Sequence, residues 1–227
     1  MFIVDEMNVE RIIDIIESVD DTLFYSTMAA FKSAMVSIGF KVRNLKNYPN
    51  FSSYSCRGIL GEHHIHLGVY QATHNSEVYI EQKRYFEKDT SKKKIDHRSN
   101  NLPSVIEYTE TGLLWRLSYI RNGIEYREDN EPIYVTYEYN NLNEIAATYH
   151  RYFPAYQYSQ VDLSLYHITF SDETVIDATF CYESELITFE EIQSICPDVK
   201  MNTLNDLLNL KKTLNSKELK LIEMFYV

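Results

Sequence analysis

Six residues from Gly61 to His66, GEHHIH, hold the densest chemistry in this chain. On an extended segment side chains alternate, so His64 and His66 share a face. Two imidazoles at that spacing can ligate one metal ion if a third ligand arrives from elsewhere. Neither a CxxC nor an HExxH motif nominates that ligand, and a structural or solvent-facing pair of histidines is the plain alternative. A second arrangement joins His64 to the triplet His167-Ile168-Thr169. Brought to one cleft, the two histidines would act as general base and general acid, while Thr169 held an anionic substrate. Cys56 lies near His63 and His64 in sequence, but a buried inert thiol is the commoner role for a lone cysteine.

Another cluster is aromatic. The run TYHRYFPAYQY places Tyr149, Arg151, Tyr152, Tyr156 and Tyr158 close together. Rings beside an arginine make hot spots for a protein partner or stacking platforms for bases. At strand spacing, half of them should face a core instead. No GxGxxG, GxxxxGK or GxSxG motif occurs, so no nucleotide loop or serine elbow is written here. No cofactor is expected.

Elements must position these groups, and composition bounds which. The 227 residues are 44% hydrophobic and 14% aromatic, with 19 tyrosines and only 6 glycines. That supports a folded chain rich in strands. A net charge of −11 argues against a dedicated nucleic-acid binder, whose affinity rests on lysine and arginine. It suits solubility or a basic protein partner. The start MFIVDEMNVERIIDIIESV lacks the pattern of a signal peptide, and no stretch has the length of a membrane span. The three cysteines, Cys56, Cys181 and Cys196, have no metal-type spacing and are expected as core thiols of a cytoplasmic protein.

Val9, Ile12, Ile13 and Ile16 predict a helix capped by Asn8. A second is expected from Asp21 to Ile38, ended by Gly39. Short strand patterns follow to about Phe86. The polar segment 87–101, with Lys92, Lys93 and Lys94, is expected as a loop or joint, its lysines solvated. From Pro103 to about Tyr182 the chain reads as strand, with Trp115 on a core face and an Asn-Gly turn at 122–123. Thr188 with Glu191, Thr203 with Asp206, and Ser216 mark C-terminal helix starts. Those helices are expected to dock on the fold or to join copies of the chain.

Two segments repeat at an offset of 29 residues: DHRSNNLPSVIEY, from Asp96, and EYREDNEPIYVTY, from Glu125. With Trp115, Tyr119, Asn122 and Gly123 between them, they resemble the MORN-like β-hairpin repeats of phages and large DNA viruses. Tyr126, Arg127, Pro132 and Tyr137 match that pattern, as do His97, Arg98, Pro103 and Tyr108, so the likeness spans roughly residues 95–140. Leu102 and Glu131 replace its usual glycine. The resemblance implies a β-meander scaffold used for contacts, with no chemistry of its own. Arg98 and Arg127 are expected to brace the turn through backbone carbonyls or a carboxylate. Separately, the triplets at His64 and His167 resemble those of two-histidine phosphoesterases, although His66 stands where a hydroxyl belongs.

The expectation is therefore an α+β fold: N-terminal helices, a long antiparallel meander with repeat units, and a C-terminal helical cap. Its parts are residues 1–90, 95–182 (continuous with the first) and 186–227. The expected function is non-catalytic, a phage-encoded protein that occludes a host defence protein in the host cytoplasm. A phosphodiesterase acting on a cyclic nucleotide through His64 and His167, and a small-molecule sponge for a nucleotide, are the alternatives.

Overall fold

A computed structural model describes residues 2–3, 8–88, 94–128, 131–158, 161–180 and 186–188, with side chains for 8–87, 94–128, 131–151 and 167–175. The chain forms two compact units, 1–127 and 128–227. The described residues are mostly antiparallel sheet with two helices. No helix among them is long and apolar enough to cross a membrane.

In the first unit, β1 (Phe2–Ile3) and α1 (Val9–Glu17) precede β2 (Leu23–Tyr25), α2 (Met28–Ser37) and β3 (Lys41–Asn47). The Asn8 side chain caps α1 by accepting from the Arg11 N–H at 2.8 Å. Its buried stripe is Ile12, Ile15 and Ile16, while Val9 is exposed. The helix expected from Asp21 is overturned in its first part. Leu23, Phe24 and Tyr25 are a buried strand, with Phe24 and Tyr25 paired to Tyr79 and Val78. Aromatic rings fit a pleated surface better than a helix, and Thr27, accepting from the Ala30 N–H at 3.1 Å, delays the helix start to Met28.

The sheet then runs through β4 (Phe51–Leu60), β5 (His63–Ala72), β6 (Val78–Lys88), β7 (Lys94–Asp96), β8 (Val105–Tyr108) and β9 (Leu114–Ser118). The spatial order is β9-β8-β6-β5-β4-β3. One edge of the long β6 pairs β5, and β2, β8 and β7 share the other in succession. Lys94–Asp96, expected within a loop, is thus a short strand on β6. The helices cover one face, where Gly58 admits the Phe40 ring. A Cβ at Gly58 would sit 1.8 Å from that ring. Asn122 and Gly123, both at positive φ, turn β10 (Ile120–Arg121) into β11 (Ile124–Glu125).

Two bulges decide which side chains face where. In β6, Gly68 pairs Gln82 but Val69 pairs Ile80, which leaves Glu81 as an extra residue. The extra residue shifts the alternation by one. Val78 and Ile80 face the helices before it, and Lys83 and Tyr85 after it. In β9, Glu107 pairs Arg116 but Tyr108 pairs Leu114, so Trp115 is the extra residue. Trp115 is consequently 42% exposed, against the expectation of a core tryptophan, and the Arg116 guanidinium lies 4.9 Å from its ring.

The second unit is an antiparallel meander in chain order: β12 (Tyr134–Tyr139), β13 (Ile145–Tyr158), β14 (Val161–Phe170), β15 (Val175–Phe180) and β16 (Leu186–Thr188). One described core cluster joins Ala147 and Ile168, flanked by Tyr149 and Phe170, and Ile133 and Val135 are also buried. The β13–β14 register shifts between Tyr152 and Tyr156, around Pro154, which has no N–H to give a ladder. Thr188 ends β16; the C-terminal helices expected beyond it, and Cys181 and Cys196, lie outside the described residues.

Candidate functional site: an acidic, aromatic cleft

The helix side of β6 carries a polar network that meets the carbonyls of the α1 segment, although the buried Tyr25 hydroxyl and His63 Nδ1 stay outside it. Helix α1 leaves carbonyls unpaired at its C-terminal end, and such groups need donors when buried. Lys83, fully buried, donates from Nζ to the carbonyls of Ile15 (2.6 Å), Ser18 (3.0 Å) and Asp21. Burial pulls this amine down to about 7, with the charge of Asp21 opposing, and its three hydrogens are met by three carbonyls. The Tyr85 hydroxyl donates to Ile16, and that of Tyr108 to Val19 and Asp21. Arg98 donates to Glu17 (3.0 Å) and Pro103 (3.2 Å), with its guanidinium 3.9 Å from the centre of the Tyr85 ring. Arg127 sits at the same 3.9 Å over Tyr119. Arg98 braces backbone carbonyls as the sequence suggested, and also fastens α1 to the sheet.

Across the sheet the opposite face is open, and one end of it is hollow. Phe51, Tyr70, Tyr79 and Phe24 form a continuous aromatic wall. Their successive ring centroids are 4.7, 5.7 and 5.8 Å apart, first tilted, then edge-on, then stacked. Gly112, at φ +79° in the turn after β8, lets Phe24 approach; a Cβ there would lie 2.3 Å from its ring. The wall borders a cavity of about 500 Å³ into which Glu77, Glu81, Glu110 and His74 also project their surfaces. Among the described residues no lysine or arginine lines it.

The carboxylates of this cleft differ in their partners, and Glu107 beside it is paired to Arg116 at 2.5 Å. Glu77 is tied by the Asn75 amide at 2.7 Å. Partial burial pushes the Glu81 carboxyl up, the negative charges of Glu107 and Glu110 push it further, and a hydrogen bond from Tyr70 opposes them. Burial and Glu81 raise the Tyr70 phenol to about 12. Burial, Glu110 and Glu81 also raise Tyr79. The bulge is what brings Glu81 here, close to the Gly68 backbone.

The other end of the same face is cationic. The two-residue turn at Gly61 and Glu62 sets the β4–β5 register, placing Arg57 opposite His66 and Ile59 opposite His64. His66 Nε2 lies 2.9 Å from the Ser55 hydroxyl, which accepts from Arg57 Nε at 3.0 Å. Burial, with Arg57, Lys94 and Arg84, holds the imidazole down to about 4, so it is neutral near pH 7. His64 stacks on Phe86, with ring centroids 5.5 Å apart. The two imidazoles share a face as expected, and the charges that act on His66 are Arg57, Lys94 and an Arg84 paired to Asp96 at 2.5 Å. Among the described residues no group of three or more metal-ligating side chains comes together. Cys56 is fully buried on the helix side, its thiol pushed up to about 12, as an inert core thiol.

Within the second unit, His167 pairs His150 across β13–β14, with ring centroids 6.2 Å apart and nearly parallel. Thr169 pairs Thr148 beside them on the same face. The neighbour given to His167 is therefore His150, which sequence reading passed over; His64 belongs to the first unit. Tyr149 packs on the Ala147–Ile168 core and donates to Glu138 at 2.6 Å, and the Arg151 guanidinium lies 4.6 Å from the Tyr134 ring centre. The side chains of Tyr152, Tyr156 and Tyr158 lie outside the described residues, although their backbone is in β13.

Sequence reading missed the cleft altogether. Its rings come from β2, β4, β5 and β6, and its central carboxylate depends on a bulge. Only the acidic balance pointed towards it. Comparison with protein-family models, with curated proteins and with solved structures finds no match to this chain.

Proposed function

We propose that the chain is a non-catalytic binding protein that occludes a basic protein partner, a phage-encoded factor aimed at a host defence protein in the host cytoplasm. One observation carries this reading: the cleft joins a four-ring wall to three carboxylates, with no lysine or arginine among its described lining residues. Aromatic and carboxylate groups around a cavity recognise positive charge, and a net charge of −11 steers a basic partner towards them. A nucleotide's phosphates would meet three carboxylates there, which weighs against the cleft as a nucleotide sponge. The MORN-like resemblance agrees with a contact scaffold. Affinity capture with the full chain, followed by mass spectrometry, tests the proposal. A basic protein should be retained by the wild type and lost with Glu81→Gln plus Glu110→Gln. Failure of the wild type to retain any basic protein would refute it, and retention unaffected by that pair of changes would move the contact away from the cleft.

His150 and His167 favour a second reading. Two stacked imidazoles beside Thr148 and Thr169 can share acid and base duty on a phosphodiester, with the hydroxyls donating to its oxygens. In this arrangement His150 takes the role first given to His64. His167→Ala and His150→Ala should each abolish hydrolysis of a cyclic nucleotide by the full chain, and absence of hydrolysis in the wild type removes the reading.

A further inference from the structure

We infer that the cleft walled by Phe51, Tyr70 and Tyr79 is a receptor site for one organic cation, a guanidinium or alkylammonium group, with Glu81 as its counter-ion. The inference rests on the reading of the chain as a binding protein and names the chemistry that its site selects.

Three features converge on it. Edge-on packing of Tyr70 against Tyr79, and tilted packing of Phe51 against Tyr70, turns ring faces in different directions around one hollow. A soft cation is attracted to such faces, most strongly where water is excluded. Glu81 is half-buried, so its charge is poorly solvated, and Glu110 adds like charge beside it with no lysine or arginine among the described lining residues, whereas Glu107, outside the lining, is paired to Arg116 at 2.5 Å. A cation entering the hollow would relieve that repulsion, whereas an anion would increase it. The cavity, about 500 Å³, lies within the range of sites for small ligands or single large side chains.

A metal ion fits less well. Hard cations need several oxygens converging at short range. Here Glu77 is held by Asn75, and the described residues contain no convergent set of three ligating groups. Carboxylates spread along an aromatic wall suit a large, delocalised charge. Guanidinium can pair with a carboxylate edge and stack on a ring at the same time.

The test is titration of the full chain with arginine amide at pH 7, read by calorimetry and by the tyrosine ring signals in nuclear magnetic resonance. Citrulline amide, of the same shape but with a neutral ureido side chain, is the control, both amides being N-acetylated so that the guanidinium is the only charge compared. The expected dissociation constant is on the order of 1 mM, with citrulline amide weaker by about tenfold or more. Glu81→Gln should weaken arginine amide by about tenfold while the chain keeps its unfolding midpoint or gains slightly. Tyr79→Leu should do the same to affinity, and the exposed Glu110→Gln serves if that variant fails to fold. Equal binding of the two amides, or an affinity untouched by Glu81→Gln, overturns the inference. A Gly-Arg-Gly peptide binding more tightly than arginine amide identifies the cation as a side chain of a partner; weaker binding of the peptide identifies a free small molecule. Partner capture that survives Glu81→Gln with no arginine amide bound would sink the cation site and leave a binding protein using another surface. Arginine amide bound with no protein captured would keep the site and sink the occlusion reading.

Discussion

On the helix side of β6, Lys83 and Tyr85 place every polar hydrogen against a backbone carbonyl of the α1 segment, and Arg98 and Tyr108 finish the set. On the open side of the same strand, Glu81 sits among rings and other carboxylates, with a single phenol as its donor. One bulged residue separates the two arrangements. Polar groups matched by the chain's own atoms are fully explained by holding α1 in place. A half-buried carboxylate beside Glu110 and a salt-bridged Glu107 has no such matching set among the described residues, and that contrast singles out the cleft as the candidate site.

The contrast implies unequal costs of mutation. Arg98→Met removes donors from the carbonyls of Glu17 and Pro103 and the stacked contact with Tyr85. Each buried carbonyl left unpaired costs about 1–3 kcal/mol, and a desolvated cation–π contact about 2 kcal/mol. Methionine keeps most of the aliphatic volume, so loss of stability should be about 3 kcal/mol or more. Urea unfolding with an unchanged slope would measure it. A loss below about 1 kcal/mol would mean that water reaches these carbonyls.

Much of the scaffold was legible in the sequence, and its limits have physical causes. Asn8 before an apolar period and the Asn-Gly pair at 122–123 are local signals, and local signals survive folding. Trp115 and Lys83 were not legible. Alternation assigns a face only when every residue pairs, and each of these follows or occupies a bulge that depends on a neighbouring strand. Leu23 and Phe24 fit a helical period but were claimed by the free edge of β6, a tertiary partner that propensity cannot see. The histidines drew attention by type. Their neighbours, Arg57 and Ser55 for His66 and His150 for His167, come from strand register. The Gly61 turn made the first of these sets recoverable by counting back across the hairpin.

The smallest expected change in stability is the one that separates the two sides most cleanly. The folded-state pKa of Glu81 is raised above its ordinary value, by burial first and then by the charges of Glu107 and Glu110. Below about 4.5, the carboxyl is protonated in both folded and unfolded chains, and it carries no charge to bury. As pH rises through the raised folded value, the folded chain must hold a poorly solvated carboxylate, so stability is lost over that window. Glu81→Gln stays neutral and can still accept from Tyr70. The variant should therefore match the wild type near pH 4 and exceed it at pH 7 by less than about 1 kcal/mol, since the site is partly open and screened. Urea midpoints at the two pH values measure the difference. If the variant is instead weaker at pH 7, the Tyr70 hydrogen bond outweighs the repulsion and Glu81 is as structural as Lys83. A gain in stability joined to a loss of arginine amide affinity is the opposite pattern, because a residue kept only for the fold would not be improved by its removal.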